Sequence, residues 1–151
     1  MVSKEPFSCR ISCSNHRIVP DQKTSGQILD VLATGLKKSE KDIVTKFAAL
    51  RGSFTKHNAV QYVAYIRFLE YPDYYWRTAI LDSDLSIIKV LGENDYAHIV
   101  PISVGDVEGD GLDEIWTELL GSEGYNTAIF YLTREGTQYN FKAIATMYNG
   151  D

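Results

Sequence analysis

Residues 105–116 read GDVEGDGLDEIW, an acidic loop with glycines that runs directly into an apolar segment. Gly109 and Gly111 lie within this tight loop, and glycine adopts positive φ at little cost. Carboxylates so close together repel one another unless a cation lies among them, and Ca²⁺ accepts about six to eight oxygen ligands. The spacing predicts a Ca²⁺ site in which the Leu112 carbonyl joins four carboxylates, at loop positions one, three, five and nine: Asp106, Glu108, Asp110 and Glu114.

Two other interpretations of this loop are a plain turn and an EF-hand. Turns rich in Asp and Gly are common and need no metal, so a metal-free turn stays open as an alternative. An EF-hand loop begins similarly, but it ends on a bidentate glutamate and leads into a helix. Here Thr117 stands where that glutamate is required, and residues 115–120, IWTELL, are rich in strand formers. The EF-hand interpretation therefore fails.

The residues Asp106, Asp110 and Glu114, with the glycines between them, resemble the calcium loop of FG-GAP or VCBS-type repeats, the blades of integrin-like β-propellers. The pattern of that loop is approximately D-x-[DN]-x-D-G-x-x-[DE] leading into a buried strand. Glu108 departs from it at position three, where its extra methylene displaces the cation or requires a bridging water. The resemblance implies a non-catalytic calcium-binding domain for interaction or adhesion, in an extracellular or periplasmic location.

The loop has a second copy earlier in the chain. GSFTKHNAVQYVAYI, from Gly52, aligns without gaps on GDVEGDGLDEIWTEL, from Gly105. The repeat length of about fifty residues is that of a propeller-type blade. No Ca²⁺ is predicted in the first copy, because residues without carboxylates stand at the ligand positions there: Ser53, Thr55, His57 and Gln61.

Two amphipathic helices are predicted before the first copy. In the first, from Ser25, apolar residues recur at helical spacing: Ile28, Leu29, Leu32 and Leu36. Ser39 followed by Asp42 resembles a capping signal. The second helix would follow it and stop at Gly52, with an apolar stripe of Ile43, Val44, Phe47, Ala48 and Leu50. Both stripes are expected to pack against a sheet.

The chain after Gly52 favours β structure throughout. Runs of β-branched and aromatic residues alternate with turn signals, which predicts an antiparallel meander. The predicted strands are 60–69, 75–82, 86–91, 98–104, 113–120, 127–133 and 139–147.

These elements predict a single α+β domain over residues 1–151, with two N-terminal helices packed on an antiparallel β-sheet made of two propeller-blade-like repeats. Its parts are an irregular N-terminal segment (1–23), a helical part (25–51), a degenerate blade-like repeat (52–104) and a calcium-loop repeat (105–151). Two blades cannot close a ring, which needs about four to eight. We expect the helices to cover the open blade faces within a monomer. A homodimer formed through an open blade edge is the alternative.

Composition and charge narrow the class of partner. An apolar fraction of 44% is enough for a core, and the net charge of −5 argues against nucleic acid as a partner. No run approaches the roughly eighteen apolar residues of a membrane span. The N-terminus, MVSKEPFSCRIS, lacks the apolar core of a signal peptide, so the protein stays inside the cell or its targeting segment has been removed.

The two cysteines, Cys9 and Cys13, lie four residues apart, and both a local disulfide and free thiols stay open. With His16 they form C-x3-C-x2-H, which offers three zinc ligands and no fourth nearby. We interpret the segment as an N-terminal arm and not as a zinc site.

Catalytic motifs are not recognisable in the sequence. His16, His57 and His98 are far apart and match no metalloprotease motif, and the loop glycines alternate with acids that would repel phosphate. We therefore expect a protein that is not an enzyme, with a small metal-dependent hydrolase as the alternative.

A last candidate site is the turn LEYPDYYW at residues 69–76, which contains four aromatic residues. Aromatic faces edged by Tyr hydroxyls suit protein or carbohydrate ligands. Tyr71, Tyr74 and Trp76 are the candidate contacts, although for Trp76, at the start of a strand, inward packing is the favoured interpretation. This turn supports a further alternative, an inhibitor or immunity-type protein that binds its partner here.

Overall fold

A computed structural model describes residues 18–91, 98–121, 124–135 and 138–148 of the chain. The cysteines and His16 of the predicted N-terminal arm lie outside these residues. The described part contains a helix, Gln22–Leu36 (α1), and eight strands: Ile43–Gly52 (β1), Gln61–Glu70 (β2), Asp73–Leu81 (β3), Ile87–Leu91 (β4), His98–Gly105 (β5), Glu114–Gly121 (β6), Gly124–Glu135 (β7) and Gln138–Tyr148 (β8).

The strands form two four-stranded antiparallel sheets. Sheet 1 has the order β1-β2-β3-β4 and sheet 2 the order β5-β6-β7-β8, so each strand pairs with its neighbour in sequence. The predicted α+β class, with helix packed on antiparallel sheet, is confirmed. Each strand predicted after Gly52 corresponds to one of the strands β2 to β8.

Strand β2 is the centre of the structure, because both of its faces are covered. Its residues 61–66 are all buried, which explains the nearly continuous apolar run at the start of this strand. One face packs against α1, through a cluster that includes Ile28, Ala64 and Ile66. The other face carries Val63, which belongs to a second cluster shared with Val104 and Ile115 of sheet 2.

Helix α1 begins where its sequence supplies a cap. The Asp21 carboxylate accepts a hydrogen bond from the Thr24 amide at 2.7 Å, satisfying one of the free donors of the first turn. The helix therefore starts three residues before the predicted Ser25. Ile28 and Leu32 are fully buried against sheet 1, so the predicted apolar stripe is confirmed as core packing.

The second predicted helix is wrong, because residues 43–52 form β1, paired with β2 along its length. A bulge between Val44 and Lys46 puts Val44 and Phe47 on the face that packs towards α1. Two apolar residues three apart on one face are also what a helix would show, and this ambiguity produced the error. The helical part predicted over residues 25–51 ends at Leu36.

The connection from α1 to β1 is held by Tyr75 of β3. Asp42 and Ser39 form a turn in which the Ser39 amide donates to Asp42 Oδ2 at 3.1 Å. The Tyr75 hydroxyl donates to the same oxygen at 2.6 Å and accepts from the Lys38 amide at 2.8 Å. Burial, followed by the hydrogen bond to Asp42, raises the pKa of Tyr75 to about 12. The capping-like signal at 39–42 thus leads into a strand and not into a helix.

Sheet 2 packs on sheet 1 through β5, which contacts β1, β2 and β3. The Thr78 hydroxyl of β3 donates to the Ile99 carbonyl of β5 at 2.6 Å. Near the other end of β5, Gly52 leaves no space for a side chain. A Cβ there would lie 2.7 Å from Val104 Cγ1 and 2.8 Å from Phe54 Cζ, and both of these side chains are buried.

We predict that Gly52→Ala destabilises the protein by about 1–3 kcal/mol, because the buried Val104 and Phe54 must shift to admit the methyl group. Gly26→Ala in α1 is the matched control, since a Cβ at that position meets nothing within 4 Å. The control should gain roughly 0.5–1 kcal/mol from helix propensity. Urea unfolding of both variants measures the difference, and equal free energies of unfolding would contradict the tight packing of Gly52.

Candidate metal centre

Two equivalent loops connect the first two strands of each sheet. Loop 1 (residues 53–60) runs from the end of β1 to Gln61, and loop 2 (residues 106–113) runs from the end of β5 to Glu114. The gapless alignment of the two sequence copies therefore matches the end of β1 with the end of β5, and the start of β2 with the start of β6. Asn58, with φ 61°, and Gly111, with φ 87°, occupy the same alignment position and share the left-handed conformation.

Loop 1 is closed by the side chain of Gln61, which is fully buried. Gln61 Oε1 accepts hydrogen bonds from the amides of Phe54 and Thr55 at 2.8 and 2.9 Å. Gln61 Nε2 donates to Thr55 Oγ1 at 2.6 Å. The Ser53 hydroxyl donates to the Ala59 carbonyl. The side chains of Gln61 and Ser53 therefore form these hydrogen bonds with neutral partners.

Loop 2 is closed in the same way by Glu114, which is only 2% exposed. Its Oε1 accepts from the amides of Val107 and Glu108 at 2.7 and 3.2 Å, the positions that align with Phe54 and Thr55. Within the described part of the chain, Oε2 of Glu114 has no hydrogen-bond donor. The glutamine and the glutamate thus accept hydrogen bonds from aligned backbone amides, but only the glutamate brings a charge into the loop.

Asp106 and Asp110 organise the rest of loop 2. The Asp106 carboxylate accepts from the amides of Gly109, Asp110 and Gly111 at 2.8, 3.2 and 2.9 Å. The Asp110 Oδ1 accepts from the Leu112 amide at 3.0 Å. These bonds turn the backbone so that the carboxylates converge on one point.

The convergence brings together three of the four predicted carboxylate ligands. Oxygens of Asp106, Asp110 and Glu114 lie within 4.8 Å of one another, while Glu108 is exposed and does not belong to this group. Lys38 and Glu70 form an ion pair elsewhere, and among the described residues no ion pair joins a cationic side chain to these three carboxylates. These three carboxylates could hold a metal ion.

The carboxyl groups of the loop differ in pKa. Burial, and then the charges of Asp110 and Glu108, raise the pKa of Glu114 above its usual value. Burial, and then the charges of Asp106 and Asp110, raise the pKa of Asp113 in the same way. Burial also disfavours the charged form of Asp106, but the three backbone amides outweigh this and lower its pKa. The surrounding protein thus stabilises the negative charge of Asp106 but disfavours that of Glu114 and Asp113.

Loop 2 also contacts loop 1, which sequence spacing does not reveal. The Asp113 amide donates to the Ser53 carbonyl at 2.7 Å, and the Ser53 amide donates to Asp113 Oδ2 at 2.8 Å. His57 lies beside Gly111, since a Cβ on this glycine would be 3.3 Å from the imidazole. Asp113 belongs to the acidic run, but its partner lies in the other copy of the repeat.

The predicted aromatic turn lies at the opposite end of β2 and β3. Tyr71 is 88% exposed and Tyr74 is 51% exposed, with the Arg67 guanidinium 4.7 Å from the centre of the Tyr74 ring. Trp76 is partly buried. The turn therefore presents two tyrosines to solvent and is not part of the carboxylate cluster of loop 2.

Comparison of the chain with family models, with curated proteins and with solved structures gives no match. Among the described residues, no helix has the length and apolarity that crossing a membrane requires.

The raised pKa values predict an unusual pH dependence of stability in metal-free protein. The reference pKa values are 4.5 for Glu114 and 3.8 for Asp113, and both folded-state values lie higher. The folded state therefore binds protons that the unfolded state does not, and stability should rise as the pH falls from about 7 towards 4.5. This contribution is fully present below the reference values and is lost as the pH rises through the folded-state pKa.

Thermal unfolding in chelator across this pH range measures the effect. Glu114→Gln is the control, because Gln61 shows that glutamine preserves the loop hydrogen bonds. The pH response should be smaller in this variant. An identical response in wild type and variant would contradict the assignment to Glu114.

Proposed function

We propose that this protein is a non-catalytic calcium-binding interaction domain of the FG-GAP/VCBS-like kind. Ca²⁺ would bind in loop 2 to Asp106, Asp110 and Glu114, with the Leu112 carbonyl and Glu108, directly or through water, completing the shell. The observation that carries this proposal is the contrast between two loops closed by equivalent hydrogen bonds, of which only the second concentrates carboxylates.

The two loops carry different residues at the positions whose side chains form hydrogen bonds in loop 1. In loop 1, a proton of Ser53 lies between its hydroxyl and the Ala59 carbonyl, and a proton of Gln61 lies between Nε2 and Thr55 Oγ1. In loop 2, the pairs at these alignment positions are Asp106 with Leu112 and Glu108 with Glu114. Each of these pairs consists of acceptors when the acids are ionised, so a cation is the natural replacement for the missing protons.

The burial of Glu114 supports the same conclusion. A carboxylate removed from water is costly unless a positive charge or enough hydrogen bonds compensate it. Its Oε1 accepts two amides, while Oε2 has no donor among the described residues and the neighbouring side chains Asp110 and Glu108 are acidic. Oxygen ligands of this kind favour hard cations such as Ca²⁺ over softer metals.

The arrangement of the sheets is compatible with the resemblance to propeller blades. Each sheet is a four-stranded antiparallel meander, and the candidate loop connects its first and second strands. The face of sheet 1 away from sheet 2 is covered by α1. We therefore propose two blade-like repeats capped by one helix, in place of the two helices expected from sequence.

We predict that Ca²⁺ stabilises the wild-type protein against heat. At about 100 times the dissociation constant the gain is about 2.7 kcal/mol, equivalent to roughly 5–10 °C in Tm for a chain of this size. Thermal unfolding with excess chelator, with Ca²⁺ and with Mg²⁺ measures the effect. Mg²⁺ should give a smaller rise, because it requires stricter octahedral geometry and retains its water.

The double variant Glu108→Thr/Glu114→Gln gives loop 2 the residues that close loop 1. We expect its Tm in chelator to exceed that of the wild type, because charge repulsion is replaced by a Gln–Thr hydrogen bond, and we expect Ca²⁺ to have no effect on it. Asp110→Ala should also lose the Ca²⁺ response. An unchanged wild-type Tm in Ca²⁺ and chelator would overturn the proposal.

The exposed tyrosines favour a second candidate function, binding of a protein or carbohydrate ligand at the aromatic turn. Tyr71 and Tyr74 present ring surface to solvent, and the Arg67 guanidinium stacked on Tyr74 keeps that ring oriented. This is the surface that an inhibitor or immunity-type protein would use.

For an identified ligand, Tyr71→Ala and Tyr74→Ala should each weaken binding by about tenfold or more, the effect of an aromatic contact of roughly 1.4 kcal/mol or above. Tyr75→Phe is the control, since Tyr75 is buried and faces Asp42. Titration calorimetry measures the affinities, and unchanged binding by both alanine variants would count against the turn.

A further inference from the structure

The two loops are joined by a reciprocal pair of hydrogen bonds between Ser53 and Asp113, at 2.7 and 2.8 Å. The two residues lie 60 positions apart and belong to loops of different sheets. We propose that Ca²⁺ bound in loop 2 controls how firmly the two sheets are docked, and that Asp113 transmits the effect. This inference rests on the calcium site proposed above.

On the metal side, Asp113 lies between two of the proposed ligands, the Leu112 carbonyl and the Glu114 side chain. A bound cation fixes the backbone on both sides of Asp113, so its amide and its Cα are held in place. Without the cation, repulsion between Glu114 and its acidic neighbours acts on the same backbone. The geometry of both hydrogen bonds to Ser53 therefore depends on occupancy of the site.

On the core side, Ser53 is placed between two tightly packed residues. Phe54 is buried in the cluster between the sheets together with Val104 and Ile115. Gly52 packs so closely against Val104 that even a methyl group has no space. Ser53 cannot move far without disturbing the packing between the sheets, so restraint by Asp113 reaches that packing directly.

A second contact between the loops should keep the two sheets together when Asp113 is substituted. His57 lies against Gly111, and the apolar cluster between the sheets does not involve Asp113. Removal of the Asp113 side chain should weaken the docking without separating the sheets. The main-chain bond from the Asp113 amide to Ser53 also persists in any substitution except proline.

Amide hydrogen exchange followed by NMR on the full chain tests the proposal, with excess chelator and with saturating CaCl₂. In the wild type, we expect Ca²⁺ to slow exchange at Val107 and Glu108, which donate to Glu114, and also at Ser53, which donates to Asp113. At about 100 times the dissociation constant, exchange through an opening that releases Ca²⁺ slows by up to about 100-fold.

Two substitutions at Asp113 distinguish the effect of its hydrogen bond with Ser53 from the effect of the metal site. Asp113→Asn retains an oxygen acceptor for the Ser53 amide, and Ser53 should still respond to Ca²⁺. Asp113→Ala removes the acceptor, and the response of Ser53 should fall at least tenfold while Val107 and Glu108 remain protected.

The possible results test calcium binding in loop 2 separately from its effect on the docking of the sheets. If Ca²⁺ slows no amide in the wild type, the calcium site fails and the coupling fails with it. Protection of Val107 and Glu108 without protection of Ser53 in the wild type would leave the site standing and overturn the coupling, and this result requires no variant to fold. An undiminished Ser53 response in Asp113→Ala would equally overturn transmission through Asp113.

Discussion

The burial of both faces of β2 is the constraint on which the rest of the structure depends. A strand covered on one side by a helix and on the other by a second sheet cannot slide in register without exposing apolar side chains. This fixes the pairing of β1 and β3 on either side of it. It also fixes Gln61 at its start, where the buried amide group must find partners in loop 1.

Loop 1 and loop 2 can be compared directly, because they are equivalent connections within one chain. Gln61 and Glu114 are nearly the same size, and each accepts hydrogen bonds from two aligned backbone amides. The difference lies in the remaining atom of each side chain, a donor in glutamine and an acceptor in glutamate. A buried acceptor among further acids is costly to retain without a compensating positive charge, and this cost is the physical basis of the proposed calcium site.

The two candidate sites lie at opposite ends of the same strand. Loop 1 and loop 2 meet where β2 begins, and the aromatic turn follows its last residue, a separation of roughly 30 Å for a ten-residue strand. A cation in loop 2 would therefore act on the stability and docking of the sheets and not on ligand contacts at the turn. Stabilisation and recognition can be changed independently in such an arrangement.

The sequence by itself determined the local features. The helical stripe of α1, the strands after Gly52, the acidic loop and the alignment of the two loops all follow from spacing and residue type, because these signals lie within a few neighbouring residues. Only the tertiary structure decided that residues 43–52 are a strand, since a bulge gives Val44 and Phe47 a spacing that helices share and pairing with β2 resolves the ambiguity. Likewise, Asp113 meets Ser53 only because two distant copies of the loop are brought side by side by the packing of the sheets. Contacts of this kind depend on the three-dimensional arrangement, and no local sequence pattern predicts them.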